Sequence, residues 1–209
     1  VYKRQDEYRR GNLTTWKKYG YDMAVLAGDK LFIYAFETAA KAFALTDRAD
    51  LVGKAISILA NKAGIYGMIG GQSVDVEYTD RPVTKSQLEF IYELKTAALL
   101  EAAMMIGAVL AGADDNQVKA AEQIAHHVGM AFQIRDDILD VISTTEELGK
   151  PVKSDEKNNK TTYVTIYGLD GASKLVEEYS HTAMTLLDQV CPNASFLKRL
   201  FEYLIVRKK

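Results

Sequence analysis

The stretch "AFQIRDDILDVI", residues 131–142, sets three aspartates into an otherwise apolar run. Asp136, Asp137 and Asp140 interrupt Phe132, Ile134, Ile138, Leu139, Val141 and Ile142. Carboxylates this close repel one another and are seldom buried without a partner. On a helix, Asp136 and Asp140 lie one turn apart on one face, Asp137 is adjacent, and Gln133 precedes them by a turn. Phe132, Leu139 and Ile142 then fall on the opposite side, toward a core. The polar strip offers only oxygen ligands, with no His or Cys in the segment. Such a donor set suits Mg²⁺, which keeps waters and takes one or two carboxylates together with substrate phosphates. A solvated acidic helix face is the plainer alternative, and these residues alone leave both readings open.

The helical reading extends along the whole chain of 209 residues. Its three prolines, Pro82, Pro151 and Pro192, all sit where the apolar periodicity lapses, as helix punctuation does. The pattern predicts helices over 21–45, 49–70, 84–111, 114–143, 163–190 and 194–207. "TKSQ" at 84–87 reads as a capping box, in which Thr84 and Gln87 satisfy each other's orphan backbone donors. "TTEELGK" at 144–150 reads as one capped turn ended by Gly149. "VDVEY" at 74–78 alternates like a strand but is too short to build a sheet. The expectation is a single all-α domain over residues 1–209.

Composition narrows the function. The formal net charge of −2 gives no global attraction to nucleic acid or to an anionic membrane. Any phosphate recognition must therefore be local. Cys191 is the only cysteine, so no disulfide framework forms within one chain and a reducing, cytoplasmic setting fits. No apolar run reaches membrane-spanning length, and no signal peptide is visible.

Several basic residues stand where an anion would meet them. Lys95 lies on the apolar stripe of Leu88, Ile91, Leu99 and Ala102, so it either snorkels outward or projects into an internal cavity. Thr96 follows with a hydroxyl donor. The polar segment "LGKPVKSDEKNNKTTY" at 148–163 brings Lys150, Lys153, Lys157 and Lys160, either as a cover for an anionic ligand or as a solvated loop. Arg9 and Arg10 in "YRRGN" offer forked donors for phosphate, or a plain surface pair.

The order of these signals is more specific than any one of them. "RRG" (9–11), "GGQSVD" (70–75), "KT" (95–96), "FQIRDDILD" (132–140), "LGK" (148–150) and "NNKTTY" (158–163) follow one another. "YGYDMAVLAGDKLFIYAFE" at 19–37 and "IVRKK" at 205–209 extend the likeness. In this order the chain resembles the trans-isoprenyl diphosphate synthases, most of all the bacterial farnesyl and geranylgeranyl enzymes, from Tyr8 to its end.

That resemblance implies an all-helical homodimer of a prenyltransferase, with a bundle around a deep central cavity. The expected reaction joins an allylic diphosphate to isopentenyl diphosphate, with Mg²⁺ as cofactor. "DDILD" matches the second of the family's two aspartate-rich motifs, so Asp136 and Asp140 are expected to bind Mg²⁺ with Asp137 in support. Lys95, Thr96, Gln133, Lys150 and Lys160 match positions contacting the allylic diphosphate, the three lysines as catalytic groups. Arg9 matches an arginine on the allylic diphosphate and Arg10 one on isopentenyl diphosphate. Gln72 and Asp75 match a cavity-lining motif, for which a structural role is equally open. The prenyl tail is expected to need an apolar tunnel near the 21–45 helix.

One departure is large. The family's first aspartate-rich motif belongs just ahead of the paired arginines, where this chain reads "VYKRQDEYRRG". Asp6 and Glu7 fit its acidic tail, but Arg4 stands where its last metal-binding aspartate is expected. The expectation is the C-terminal two-thirds of a synthase, lacking its N-terminal helices and with little or no activity. Two other readings share parts of the pattern. A non-catalytic helical partner would lack an aspartate motif, and a class I terpene cyclase would ionise its substrate similarly, although "RRG" and "KT" disfavour it.

Overall fold

The computed structural model describes residues 7–9, 11–79, 81–143 and 161–207. Two strands of two residues each, β1 (Tyr8–Arg9) and β2 (Asn12–Leu13), pair antiparallel with Arg9 opposite Asn12. The rest is helical: α1 (Thr15–Tyr19), α2 (Tyr21–Ala40) with a 3₁₀ turn over Lys41–Ala44, α3 (Ala49–Ala63) and α4 (Met68–Glu77). After them come α5 (Lys85–Tyr92), a π-helical turn over Glu93–Ala97, and α6 (Ala98–Leu110). The chain then forms α7 (Asp115–Ile142), α8 (Tyr163–Val190), which kinks at Gly168, and α9 (Ser195–Val206). The all-α expectation holds. No described helix is long and apolar enough to cross a membrane.

Three expectations need correction. The helix predicted over 49–70 is two helices, because the chain turns at "GIYG", where the Gly64 N–H closes α3 onto the Ala60 and Asn61 carbonyls. Glycine punctuation there overrides the apolar periodicity. The segment 74–78 is no strand: it continues α4, whose buried residues Gly71 and Asp75 are spaced four apart, the helical period. Ile142, expected in the core, is 55% exposed at the last position of α7. The predicted turn at 144–150 lies outside the described residues.

Capping chemistry sets the main boundaries. Thr84 with Gln87, Asp114 with Gln117, and Thr162 with Thr165 each form a reciprocal capping box that starts α5, α7 and α8. Helix α7 is the centre of the bundle, packed along its length against α8 and α6. One apolar cluster joins Leu88, Ile91, Ile134, Ile138, Tyr163 and Val176; another joins Ile124, Val128, Ala183, Leu187 and Phe201. Burying each such side chain stabilises the fold by about 2 kcal/mol.

The π turn between α5 and α6 is gripped from two sides. A Cβ at Gly71 of α4 would lie 2.4 Å from the Lys95 backbone nitrogen, and one at Gly129 of α7 would lie 2.6 Å from Ala97 Cα. Only glycine permits helices to approach this closely. The turn carries Lys95 and Thr96, and π turns within α-helices recur at functional sites. Helix α2 contrasts with this packed centre: it buries only Ala24 and Gly28, while Leu26, Leu31 and Ile33 are more than 60% exposed.

Candidate functional site

The three aspartates occupy three different environments, which resolves the repulsion their spacing implies. Asp137 is 4% exposed, and its Oδ2 accepts hydrogen bonds from the Tyr92 hydroxyl (2.6 Å) and the Tyr163 backbone N–H (3.2 Å). Tyr163 is the first residue of α8, so its N–H is one of the orphan donors of that helix. The carboxylate therefore also meets the positive end of the helix dipole. The Tyr92 and Tyr163 rings pack against each other at 5.3 Å between centroids, sealing the contact. Asp140 is 2% exposed on the face of α7 that carries Asp136. Asp136 is only half-buried, and its Oδ1 accepts from Arg207 Nη2 at 3.1 Å.

The basic and neutral polar candidates converge on the π turn. Lys95 Nζ donates to the buried Asp75 at 2.6 Å, so the lysine on an apolar stripe does project inward and meets an anion of the protein itself. Thr96 Oγ1 donates to Gln133 Oε1 at 2.8 Å, and Gln133 Nε2 lies 3.5 Å from Asp137 Oδ1. Thr96, Gln133 and Asp137 thus form one hydrogen-bonded chain from the π turn to α7, while Lys95 on the same turn pairs with Asp75 of α4. Arg9 stands on the exposed β1–β2 hairpin. Arg10, Lys150 and Lys160 lie outside the described residues.

The donor chemistry of α7 fits a hard dication on limited terms. Among the described residues no three His, Cys, Asp or Glu side chains converge as a metal cage. Asp137 already accepts three protein donors. Asp136, which accepts from Arg207, and Asp140 carry carboxylates one turn apart, and Mg²⁺ accepts such a pair when phosphate oxygens and water complete its shell.

A separate cavity of about 600 Å³ lies toward the N-terminal half of α7, lined by Lys62, Glu101, Glu122, His126 and His127 among others. None of the three aspartates lines it. Lys62 bridges Glu101 (2.5 Å) and Glu122 (2.6 Å), and His126 Nδ1 is 3.2 Å from Glu101. Its charged walls pair with one another.

Three residues of the site carry no sequence role: Tyr92, Tyr163 and Arg207. Tyr92 precedes Lys95 by three positions and Tyr163 follows the Thr162 cap, signals that show only once α5, α7 and α8 are packed. Arg207 stands in the "IVRKK" stretch, but it reaches Asp136 because α9 packs on α7, a tertiary fact that the stretch does not state.

Known proteins match this chain in sequence and in fold. The Polyprenyl synthetase family profile matches residues 5–193. A farnesyl diphosphate synthase of Geobacillus stearothermophilus is 37% identical over 202 residues, 97% of this chain and 68% of the relative. A geranylgeranyl diphosphate synthase of Cyanophora paradoxa is 43% identical over 173 residues, 82% of this chain and 57% of that protein. The crystal structure of a Helicobacter pylori geranyltransferase complexed with magnesium and isoprenyl diphosphate superposes with a TM-score of 0.83 at 32% identity. That match covers 96% of this chain and 65% of the other. The chain thus spans 57–68% of the length of these three proteins.

Proposed function

This chain belongs to the polyprenyl synthetase family, and from that membership we propose that it carries the diphosphate-ionising part of a short-chain trans-prenyltransferase. The reaction joins an allylic diphosphate to isopentenyl diphosphate and releases inorganic diphosphate. The observation that carries this reading is the 2.8 Å bond from Thr96 to Gln133, which ties the lysine-bearing π turn to the aspartate-bearing helix.

Asp136 and Asp140 hold Mg²⁺ in this reading, and Asp137 holds the backbone in place for them. Bound there with a substrate, Mg²⁺ supplies neutralisation of the charge gathering on the departing diphosphate. Lys95 stands on a pre-aimed segment, its ammonium fixed by Asp75, and turns part of its donor capacity to the diphosphate oxygens. An ammonium has three donors, so Asp75 leaves two for the substrate. The Thr96 hydroxyl and Gln133 carbonyl would offer oxygen dipoles to the electron-poor allylic carbon. Arg9, Arg10, Lys150 and Lys160 complete the phosphate contacts in this proposal. A second copy of the chain covers the apolar side of α2, where Leu31 is 67% exposed, making a homodimer. The compartment proposed is the cytoplasm, in keeping with the single cysteine.

The test is a prenyl-transfer assay with radiolabelled isopentenyl diphosphate, an allylic primer and Mg²⁺, with a chelator control. Metal-dependent, chain-lengthened product above the no-protein control supports the proposal. A hydrocarbon formed without isopentenyl diphosphate would replace it with cyclisation.

A further inference from the structure

Arg207, one residue beyond the end of α9, meets Asp136, the most exposed of the three aspartates. Its Nη2 donates to Asp136 Oδ1 (3.1 Å) and to the Phe132 carbonyl (3.4 Å). Its guanidinium carbon lies 3.7 Å from the centre of the Phe132 ring. Arg135 holds the same residue from behind, donating Nε and Nη2 to the Arg207 carbonyl at 3.4 and 3.2 Å. The Arg207 side chain is only 13% exposed, so its charge has left bulk water and depends on a protein anion.

We propose that Arg207 is a resident counter-ion for Asp136 that a divalent cation displaces, so that metal binding at the aspartates unlatches the end of α9 from α7. This rests on the reading of Asp136 as a metal ligand. Two cations on one carboxylate repel, and the dication with its phosphate partner holds the stronger claim on a hard oxygen.

The geometry is that of a contact made to be exchanged. The pair is monodentate, one nitrogen to one oxygen, rather than the two-pronged fork that makes arginine–carboxylate pairs strong. Arg207 Nε is buried and donates to no acceptor among the described residues, so the docked position leaves a donor unsatisfied. The anchor also lies beyond Val206, while α9 is fixed to the core through Phe201 and Leu197, so releasing it leaves the helix packed.

Mn²⁺ binding, followed by the electron paramagnetic resonance of the free ion, tests this on the full chain and on Arg207→Met, Arg207→Lys and Asp136→Asn. Arg207→Met binds Mn²⁺ about tenfold more tightly, the size of a typical coupling between linked sites. Arg207→Lys keeps the charge and stays near the unaltered protein, and Asp136→Asn loses the site. A merely structural role for Arg207 would not raise metal affinity. A nitroxide on Val206→Cys in a Cys191→Ser background gives a second readout with Arg207 intact. Its spectrum is immobilised without metal and sharpens on adding Mg²⁺ with inorganic diphosphate. Equal or weaker Mn²⁺ binding by Arg207→Met, or a nitroxide signal indifferent to Mg²⁺, overturns the counter-ion role while the metal site stands. Failure of every variant to bind Mn²⁺ removes the metal reading, and this inference with it.

Discussion

Tyr163 turns its backbone N–H onto Asp137 at 3.2 Å, so the second aspartate of the triplet anchors the start of the helix that follows residues 144–160. The same carboxylate oxygen takes the Tyr92 hydroxyl at 2.6 Å, which makes Asp137 the junction of α5, α7 and α8. Tyr92→Phe keeps the ring and its packing but removes a donor from a buried carboxylate. Hydrogen bonds to charged groups of this kind contribute about 2 kcal/mol. Urea denaturation of Tyr92→Phe is expected to show a loss of that order; a loss within experimental error would mean that Asp137 finds another donor.

The grip on the π turn predicts a steric effect with a functional readout. Gly129→Ala places a methyl 2.6 Å from both Ala97 Cα and Cβ, and backbone cannot yield as a side-chain tip can. Overpacking of this sort costs about 1–3 kcal/mol. It also pushes Thr96 away from Gln133, so on the role proposed for these two residues allylic diphosphate binding is expected to fall together with stability. A stabilised Gly129→Ala with unaltered ligand affinity would contradict the close approach.

Charge pairs of different burial should respond differently to mutation. Lys62, 17% exposed, serves both Glu101 and Glu122, and Glu101 is almost fully enclosed. Lys62→Met leaves a buried carboxylate facing another acid, a change that costs about 3 kcal/mol. The Lys54–Asp115 pair is open to water on both sides, and Lys54→Met is expected to leave the melting temperature unchanged. Comparable losses in the two variants would refute the burial argument.

His126 gives the fold a pH dependence of defined sign. Its hydrogen bond to Glu101 raises it above the ordinary value of 6.5, against the opposing effect of burial. A group raised on folding stabilises the native state fully below its unfolded value and loses that contribution as pH rises through its folded value. Glu101 responds in the opposite direction: burial would raise it, but His126 and Lys62 together hold it below 4.5. Its contribution is present above that value and disappears in acid. Stability is therefore expected to decline as pH rises above 6.5, with the slope reduced in His126→Phe. Urea midpoints across that range check it, and a slope indifferent to residue 126 would place the titration elsewhere.

Much of this was readable from residues because it depends on near neighbours. The helices, the Thr84–Gln87 cap and the shared face of Gln133, Asp136 and Asp140 follow from spacing within a turn or two. What the sequence left open was the partner of each charge. Lys95 on its stripe pointed to an anion without identifying Asp75, which arrives from α4 because Gly71 lets that helix approach. The aspartate strip looked like one ligand set, yet Asp137 turns toward Tyr92 and α8. The break at 64–67 and the strand-like look of 74–78 were misleading for one reason: local pattern does not report which face tertiary packing buries. Arg10, Lys150 and Lys160 stand on the family likeness.

The central claim is that Asp136 and Asp140 recruit a divalent cation to hold an allylic diphosphate. Isothermal titration of farnesyl diphosphate into the chain, with Mg²⁺ and with chelator, measured also on Asp136→Asn, tests it most directly. The expected result is saturable binding that requires Mg²⁺ and weakens about tenfold or more in Asp136→Asn, the scale on which metal affinity responds to its ligand shells. Binding of equal strength in chelator, or binding untouched by Asp136→Asn, would contradict it.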